Sequence, residues 1–155
     1  VTNHPIDYTG DENDHNVIYL LNYMLNNTES PGDRLKLAKK LTSADLTGEL
    51  SAEVITKAIF SEDNSAIQKI LIESIEHNQS HIVRDALLQI VLGDYDTHIR
   101  LSATKFLAQF QYDDHVLKML TIVSVSDSNP TIRYTARKII SRSKPAIISS
   151  SEIGK

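Results

Sequence analysis

The stretch IRLSATKFL, residues 99–107, returns 33 residues later as IRYTARKII, residues 132–140. A looser copy, IQKILIESI, stands 32 residues earlier at 67–75. In every copy the apolar or small residues fall at offsets 0, 4, 7 and 8, which share one face of an α-helix. An acidic turn precedes each copy, at Glu62-Asp63, Asp94-Tyr95-Asp96 and Asp127. One amphipathic unit recurring at this period predicts a helical-repeat architecture.

Helical spacing of apolar residues covers eight segments in all. We expect helices near 16–26, after Ser30-Pro31, after Ser51, near 64–77, from Ser80 to Gly93, near 96–110, after Asp113-Asp114 and after Asn129-Pro130. The helices that precede the three copies supply their partners, and the first two helices form a more divergent terminal pair. The sequence therefore predicts an all-α fold, an α-solenoid of about four antiparallel helix pairs, over residues 17–144.

Two copies share a further pattern, in which Asp stands six positions before Arg and an aliphatic residue directly precedes that Arg. They are Asp94…Ile99-Arg100 and Asp127…Ile132-Arg133, each with Ala three residues later. These residues resemble HEAT repeats. The resemblance is good over 94–140, fair over 48–93 and weak before that. In the copy at 67–75 the two places hold Glu62 and Gln68, and the Pro frequent in the family's first helix is missing throughout.

The resemblance implies a right-handed superhelix with a ladder of Asp and Arg side chains between neighbouring repeats. The structural ladder residues are then Asp94, Arg100, Asp127 and Arg133. Repeated Asp–Arg pairs at turns suit this role better than acid–base catalysis, because Arg stays protonated across the useful pH range. A generic helical bundle is the alternative to the HEAT-like arrangement.

Composition limits the other possibilities. Gly and Pro are scarce, five and four in 155 residues, which favours helices over a many-stranded sheet. The absence of Cys excludes disulfides, Cys-ligated zinc and thiol nucleophiles. Asp7, Asp11, Glu12 and Asp14 account for the whole net charge of −4, and the otherwise neutral body makes nucleic-acid binding unlikely. No apolar run reaches the ~18–20 residues that span a membrane.

The two ends of the chain lack helical periodicity. We interpret residues 1–16 as a flexible acidic N-terminal segment and 145–155 as a flexible C-terminal tail. Because the chain begins at Val1, we expect it to be processed or to be a piece of a longer, even membrane-anchored, protein. The sequence predicts no compartment and no oligomeric state.

No motif predicts catalysis, a cofactor or a metal site. His77 and His81 have the spacing of a helical metal pair, but Asn78-Gln79-Ser80 indicates a helix break between them and no third ligand is near. Asp113-Asp114-His115 opens a helix, where carboxylates stabilise the positive end of the helix dipole. We therefore predict that the chain is not an enzyme. The HEAT-like resemblance leaves a third class open, an enzyme, because some HEAT-like proteins are lyases or DNA glycosylases. The missing Trp and the neutral body count against a glycosylase.

The last helix has an outer face opposite its buried stripe, and the repeat register gives the equivalent positions on the helices at 64–77 and 96–110. Because equivalent helices of a solenoid line one side, these positions predict a concave partner-binding surface. Its residues are Ile72, Leu101, Lys105, Tyr134, Arg137 and Lys138. Residues 128–144 also hold five cations and no acid, Arg133, Arg137, Lys138, Arg142 and Lys144. They either complement the helix dipole or dock an acidic peptide, a phosphate group or an anionic lipid.

These observations predict a protein–protein interaction or scaffolding module that binds a segment of another protein or peptide on its concave face, an acidic segment among the candidates. The alternative is an accessory or regulatory domain of a larger enzyme or sensor, where the solenoid packs against neighbours in the same protein. A second domain next to Val1 would favour the alternative.

Overall fold

A computed structural model describes Tyr19 and residues 30–144. Between 30 and 144 the chain forms seven α-helices and one short 3-10 helix, without a strand, which confirms the all-α prediction. The helices are α1 (Pro31–Leu41), α2 (Glu49–Ser61), α3 (Ser65–Ser74), α4 (His81–Leu92), α5 (Thr97–Phe106), the 3-10 helix Leu107–Phe110, α6 (Asp114–Ser126) and α7 (Pro130–Ser143). Apart from Tyr19, the predicted first helix and both terminal segments lie outside the described residues.

Asn and Asp side chains fix where four of the helices begin. The Oδ1 atoms of Asn64, Asp96, Asp113 and Asn129 accept hydrogen bonds from backbone N–H groups in the first turn that follows. Each cap satisfies a donor that has no partner within its own helix. Pro130 follows its cap in the first helical position, where its missing N–H costs nothing.

Helix α2 begins earlier than the sequence predicts. Its N-cap is Gly48, and Ser51, which was expected to precede the helix, lies inside it with no exposed surface. Ser51 is one turn before the buried Ile55 and so shares its inward face. Its small side chain belongs to the core instead of capping the helix.

Helix α3 ends at Ser74, three residues before the predicted limit, because Asn78 holds the following turn in place. The Nδ2 of Asn78 donates to the carbonyls of Leu46, at 2.7 Å, and Gly48, at 3.0 Å. Its Oδ1 accepts from the N–H of Ser80. Asn78 is buried, so this one side chain ties the start of α4 to the loop before α2.

The chain divides into two compact units, with the boundary between Ala86 and Leu87 inside α4. In the first unit, α1 and α2 both pack against α3, whose residues Ile67, Leu71 and Ile72 are fully enclosed. Burying one such side chain contributes about 1.5–3 kcal/mol.

In the second unit, α5 and α6 both pack against α7. Ala103 and Ala136, at the same offset in their repeats, are fully buried and allow α5 and α7 to approach closely. Within each unit, then, a helix contacts both its sequence neighbour and the second helix along the chain.

Gly93 ends α4 at a place where no side chain fits. A Cβ atom there would lie 2.9 Å from the carbonyl oxygen of Gln89 and 2.7 Å from the ring of Tyr95. The close approach of backbone and ring therefore requires glycine. Within residues 30–144, no helix is long and apolar enough to cross a membrane.

Candidate partner-binding cleft

Helices α5 and α7 lie side by side and run in the same direction. Near their N-terminal ends, Arg100 of α5 reaches Asp127 in the turn before α7. Towards their C-terminal ends, Lys105 and Ala108 line one cleft together with five residues of α7, Tyr134, Thr135, Lys138, Ile139 and Arg142. The ion pair near one end and the shared cleft towards the other indicate a parallel arrangement of these two helices.

The cleft between these C-terminal ends has a volume of about 240 Å³. Its walls are Lys105, Ala108, Tyr134, Thr135, Lys138, Ile139 and Arg142. Three of the six residues predicted for a partner surface, Lys105, Tyr134 and Lys138, thus come together. Lys105 and Lys138 stand six residues after Ile99 and Ile132, so the repeat itself places one cation on each helix.

Tyr134 supplies the aromatic part of the cleft. Its side chain is 61% exposed, and the Nζ of Lys138 lies 5.9 Å from the centre of its ring. An ammonium over an aromatic face contributes about 0.5–1 kcal/mol at an exposed site. The contact orients both side chains without burying either, which leaves an aromatic and a cation available to a ligand.

The cleft is positively charged because acids and bases are segregated along the second unit. Every carboxylate between 87 and 144 stands in a turn before a helix or at its first residue: Asp94, Asp96, Asp113, Asp114 and Asp127. No carboxylate lines the cleft, and no described residue forms an ion pair with Lys105, Lys138 or Arg142. The helix dipoles explain part of this, since Lys105 and Arg142 lie in last turns.

The remaining predicted surface residues do not line the cleft. Leu101 is partly exposed on α5 and Arg137 is exposed on α7. Ile72 is fully buried, and its inclusion in an exposed surface was wrong. Ile72 lies five residues after Ile67; the equivalent Thr104 is buried as well, whereas Arg137 on the last described helix is exposed. The buried face of α3 and α5 therefore includes this position, whereas the buried face of α7 does not.

Of the four predicted ladder residues, the structure pairs Arg100 with Asp127. The guanidinium donates from Nε to Oδ2 at 3.2 Å and from Nη2 to Oδ1 at 3.3 Å, and it also donates from Nη1 to the carbonyl of Tyr95. The Asp127 side chain is 7% exposed and accepts the N–H of Asn129. Arg133 donates instead to the backbone carbonyls of Asp127 and Ser128, and Asp94 is exposed.

A second pair with the same geometry was missed in the sequence. Arg34 donates from Nε and Nη2 to the two carboxylate oxygens of Glu62, at 3.0 and 3.2 Å. Glu62 also accepts the N–H of Asn64, as Asp127 does from Asn129. The hydrogen bond to Glu62 is the main reason that the pKa of Arg34 is raised. The sequence does contain a signal that could have identified Arg34 as a ladder residue. Arg34 and Arg100 both stand four residues after their N-caps, Ser30 and Asp96.

The histidine pair considered for a metal lies at the surface. His77 and His81 are both exposed, and the Nδ1 of His81 is 4.0 Å from a carboxylate oxygen of Glu49. In the part of the chain that the structure describes, no three His, Asp or Glu side chains are grouped as metal ligands would be.

A larger cleft of about 430 Å³ lies at the other end of the second unit, between the end of α4 and the end of α6. Leu92, Asp94, Arg100 and Asp127 are among its lining residues. Leu92 and Val125, the second of which does not line this cleft, are 52% and 73% exposed. They occupy equivalent positions, seven residues before Ile99 and Ile132. The repeat thus places one exposed apolar residue near the end of each of these two helices.

Comparison with known proteins adds no relative: no family model, curated protein or solved structure matches the chain. The resemblance to HEAT repeats accordingly rests on the residues quoted for it.

Proposed function

We propose that this chain is a HEAT-like interaction module that binds a segment of a partner protein without catalysis, on a surface centred on the Lys105–Tyr134–Lys138 cleft. The observation that carries the proposal is the convergence of an exposed aromatic ring and three cations in one cleft, on helices placed side by side by the repeat. Aromatic and Arg side chains are the residue types that dominate binding energy at protein interfaces.

The HEAT-like part of the proposal, an α-solenoid of antiparallel pairs, is supported within each unit separately. In each, a helix packs on its sequence neighbour and on the equivalent helix of the adjoining copy. Each unit also has one ion pair between equivalent helices, Arg34–Glu62 in the first and Arg100–Asp127 in the second. In both pairs the Arg stands four residues after an N-cap, and the carboxylate stands two residues before the N-cap of the next equivalent helix. A repeat fold needs this neighbour-to-neighbour pattern, whereas a generic bundle does not.

The charge of the cleft indicates an acidic partner segment. Lys105, Lys138 and Arg142 would guide an acidic peptide to the cleft, while Tyr134 and Ala108 provide apolar area for burial. Apolar burial at about 25 cal/mol per Å² supplies affinity, and exposed charges mainly set the association rate and the selectivity.

Replacing Tyr134 by Asp tests the proposal, with Tyr112→Asp as the matched control. Both tyrosines are highly exposed, 61% and 77%, but only Tyr134 lines the cleft. We expect Tyr134→Asp to reduce recovery of the partner from the native extract at least about tenfold, a loss of about 1.4 kcal/mol. Quantitative mass spectrometry measures the recovery, and circular dichroism checks that helix content is unchanged.

Leu101→Asp is a second variant at the predicted surface, outside the cleft lining. It should also lower recovery if the partner segment continues along α5. Recovery of the same proteins by wild type, Tyr134→Asp and Leu101→Asp would contradict the proposal.

The alternative function, an accessory domain that packs on neighbours within a larger protein, is supported by exposed apolar residues outside the Lys105–Tyr134–Lys138 cleft. Leu92, Ile122 and Val125 are exposed apolar residues of the second unit. Ile122 and Val125 stand three residues apart on one face of α6, and neighbouring exposed apolar residues mark interaction sites. If a further domain covers them, Leu92→Ser with Val125→Ser should leave the isolated chain folded and weaken its association with that domain when the two are produced separately.

A further inference from the structure

Three cations and no carboxylate line the cleft. Lys105, Lys138 and Arg142 line the same 240 Å³, and no described carboxylate neutralises them. A single carboxylate of a partner would bring one negative charge to three positive ones. A phosphate monoester brings about −1.5 to −2 at neutral pH, with three strongly accepting oxygens.

The size and walls of the cleft suit a phosphorylated side chain. Its volume lies below the ~300–1,000 Å³ typical of sites that enclose a drug-sized molecule, so one side chain fits better than a whole metabolite. Tyr134 and Ile139 form an apolar wall for the stem of that side chain, while the cations meet its head. A recess with an apolar wall also fits a peptide better than the flat surface of a membrane.

We infer that the anionic group this cleft takes is the phosphate monoester of a phosphorylated segment in a partner protein. The inference rests on the proposed function and names the chemistry of the same site. It adds a regulatory consequence: the kinase or phosphatase that acts on the partner then controls the association.

The test compares phenyl phosphate with benzoate, which offer the same ring with a phosphate or a carboxylate. Backbone amide chemical shifts of nitrogen-15-labelled protein, followed at constant ionic strength, report both affinity and site. We expect phenyl phosphate to shift residues 105–108 and 134–142 and to bind at least about tenfold more tightly than benzoate near pH 7.5. The preference should shrink at about pH 5, where the phosphate, with its second pKa of ≈ 6, is mainly a monoanion. The titratable side chains that line the cleft are Lys105, Tyr134, Lys138 and Arg142, without His, Asp or Glu. The change between pH 7.5 and pH 5 therefore follows the charge of the ligand.

The double variant Lys105→Ala/Lys138→Ala should remove this preference, whereas Lys118→Ala should keep it, since Lys118 is an exposed lysine of α6 outside the cleft. Equal affinities for the two probes, or the same loss in Lys118→Ala, would overturn the inference. So would binding of the chain to phosphatidylserine vesicles through Lys105 and Lys138.

The two proposals can fail separately. If phenyl phosphate shows no preference while Tyr134→Asp still loses the partner, the interaction module stands and its ligand is not phosphorylated. If Tyr134→Asp keeps the partner, the surface itself is wrong.

Discussion

Two residues at helix ends, Gly93 and Asn78, meet local requirements that most other residue types would not satisfy. Gly93 leaves room for the carbonyl of Gln89 and the ring of Tyr95. Asn78 satisfies two carbonyls with one buried amide. Neither position belongs to an apolar stripe, so periodicity alone could not identify them.

Gly93→Ala should destabilise the protein by about 1–3 kcal/mol, because the added Cβ would overlap the backbone carbonyl of Gln89, which cannot move without distorting α4. Gly32→Ala is the matched control in α1: its Cβ would meet only the Oγ of Ser30, at 3.7 Å. That control should be neutral or slightly stabilising, since Ala favours helix over Gly. Urea unfolding measures both, and equal effects would contradict the close approach at Gly93.

Asn78→Ala should lower the free energy of unfolding by about 2–3 kcal/mol, because the carbonyls of Leu46 and Gly48 lose their donor in a buried place. Gln79→Ala, at the exposed neighbouring position, serves as the control and should change stability by less than about 0.5 kcal/mol. Thermal unfolding of the two variants tests this, and similar midpoints would show that Asn78 is not the link between the loop and α4.

At the scale of helices and their pairing, the sequence predicted which positions of each repeat copy are buried better than it predicted which are exposed. Offsets 0 and 4 from Ile67, Ile99 and Ile132 are buried as expected, because any helix packed on one side must bury that face. Ile72 was misplaced because the width of the stripe depends on how many neighbours a helix has, which its own sequence does not encode. Arg34 was missed because its partner is Glu62, where the two later copies have Asp, and because the first helices lack the Asp–Arg pattern.

The ion pairs between equivalent helices should stabilise their units more than ordinary surface pairs do. Arg100→Met keeps the aliphatic stem but leaves the nearly buried carboxylate of Asp127 unpaired, and we expect a loss of about 2 kcal/mol. A double-mutant cycle with Asp127→Asn should show coupling of about 1 kcal/mol. The exposed Lys69–Glu73 pair, at 3.6 Å, is the control, with coupling below about 0.5 kcal/mol. Equal coupling in the two pairs would remove the ladder's structural role.

For the whole molecule, the all-α fold class could be predicted from the sequence, whereas the full set of cleft residues depends on the three-dimensional packing of the helices. Composition and periodicity predicted helices throughout the described residues, and the 33-residue register brought Lys105 and Lys138 onto equivalent positions. Register could not show that Arg142 shares their cleft while Arg137 lies outside it, since that depends on how α5 and α7 are rotated against each other. The division into two units inside α4 also left no trace in the sequence pattern.

Photo-crosslinking from the cleft tests the central claim, that a partner protein binds there, most directly. A photo-reactive phenylalanine analogue is placed at position 134 in one sample and at position 112, an even more exposed tyrosine outside the cleft, in the other. The account predicts a defined partner adduct from position 134 that is absent from position 112 and is lost with Lys105→Ala/Lys138→Ala. Adducts of equal yield from both positions, or from position 112 alone, would contradict it.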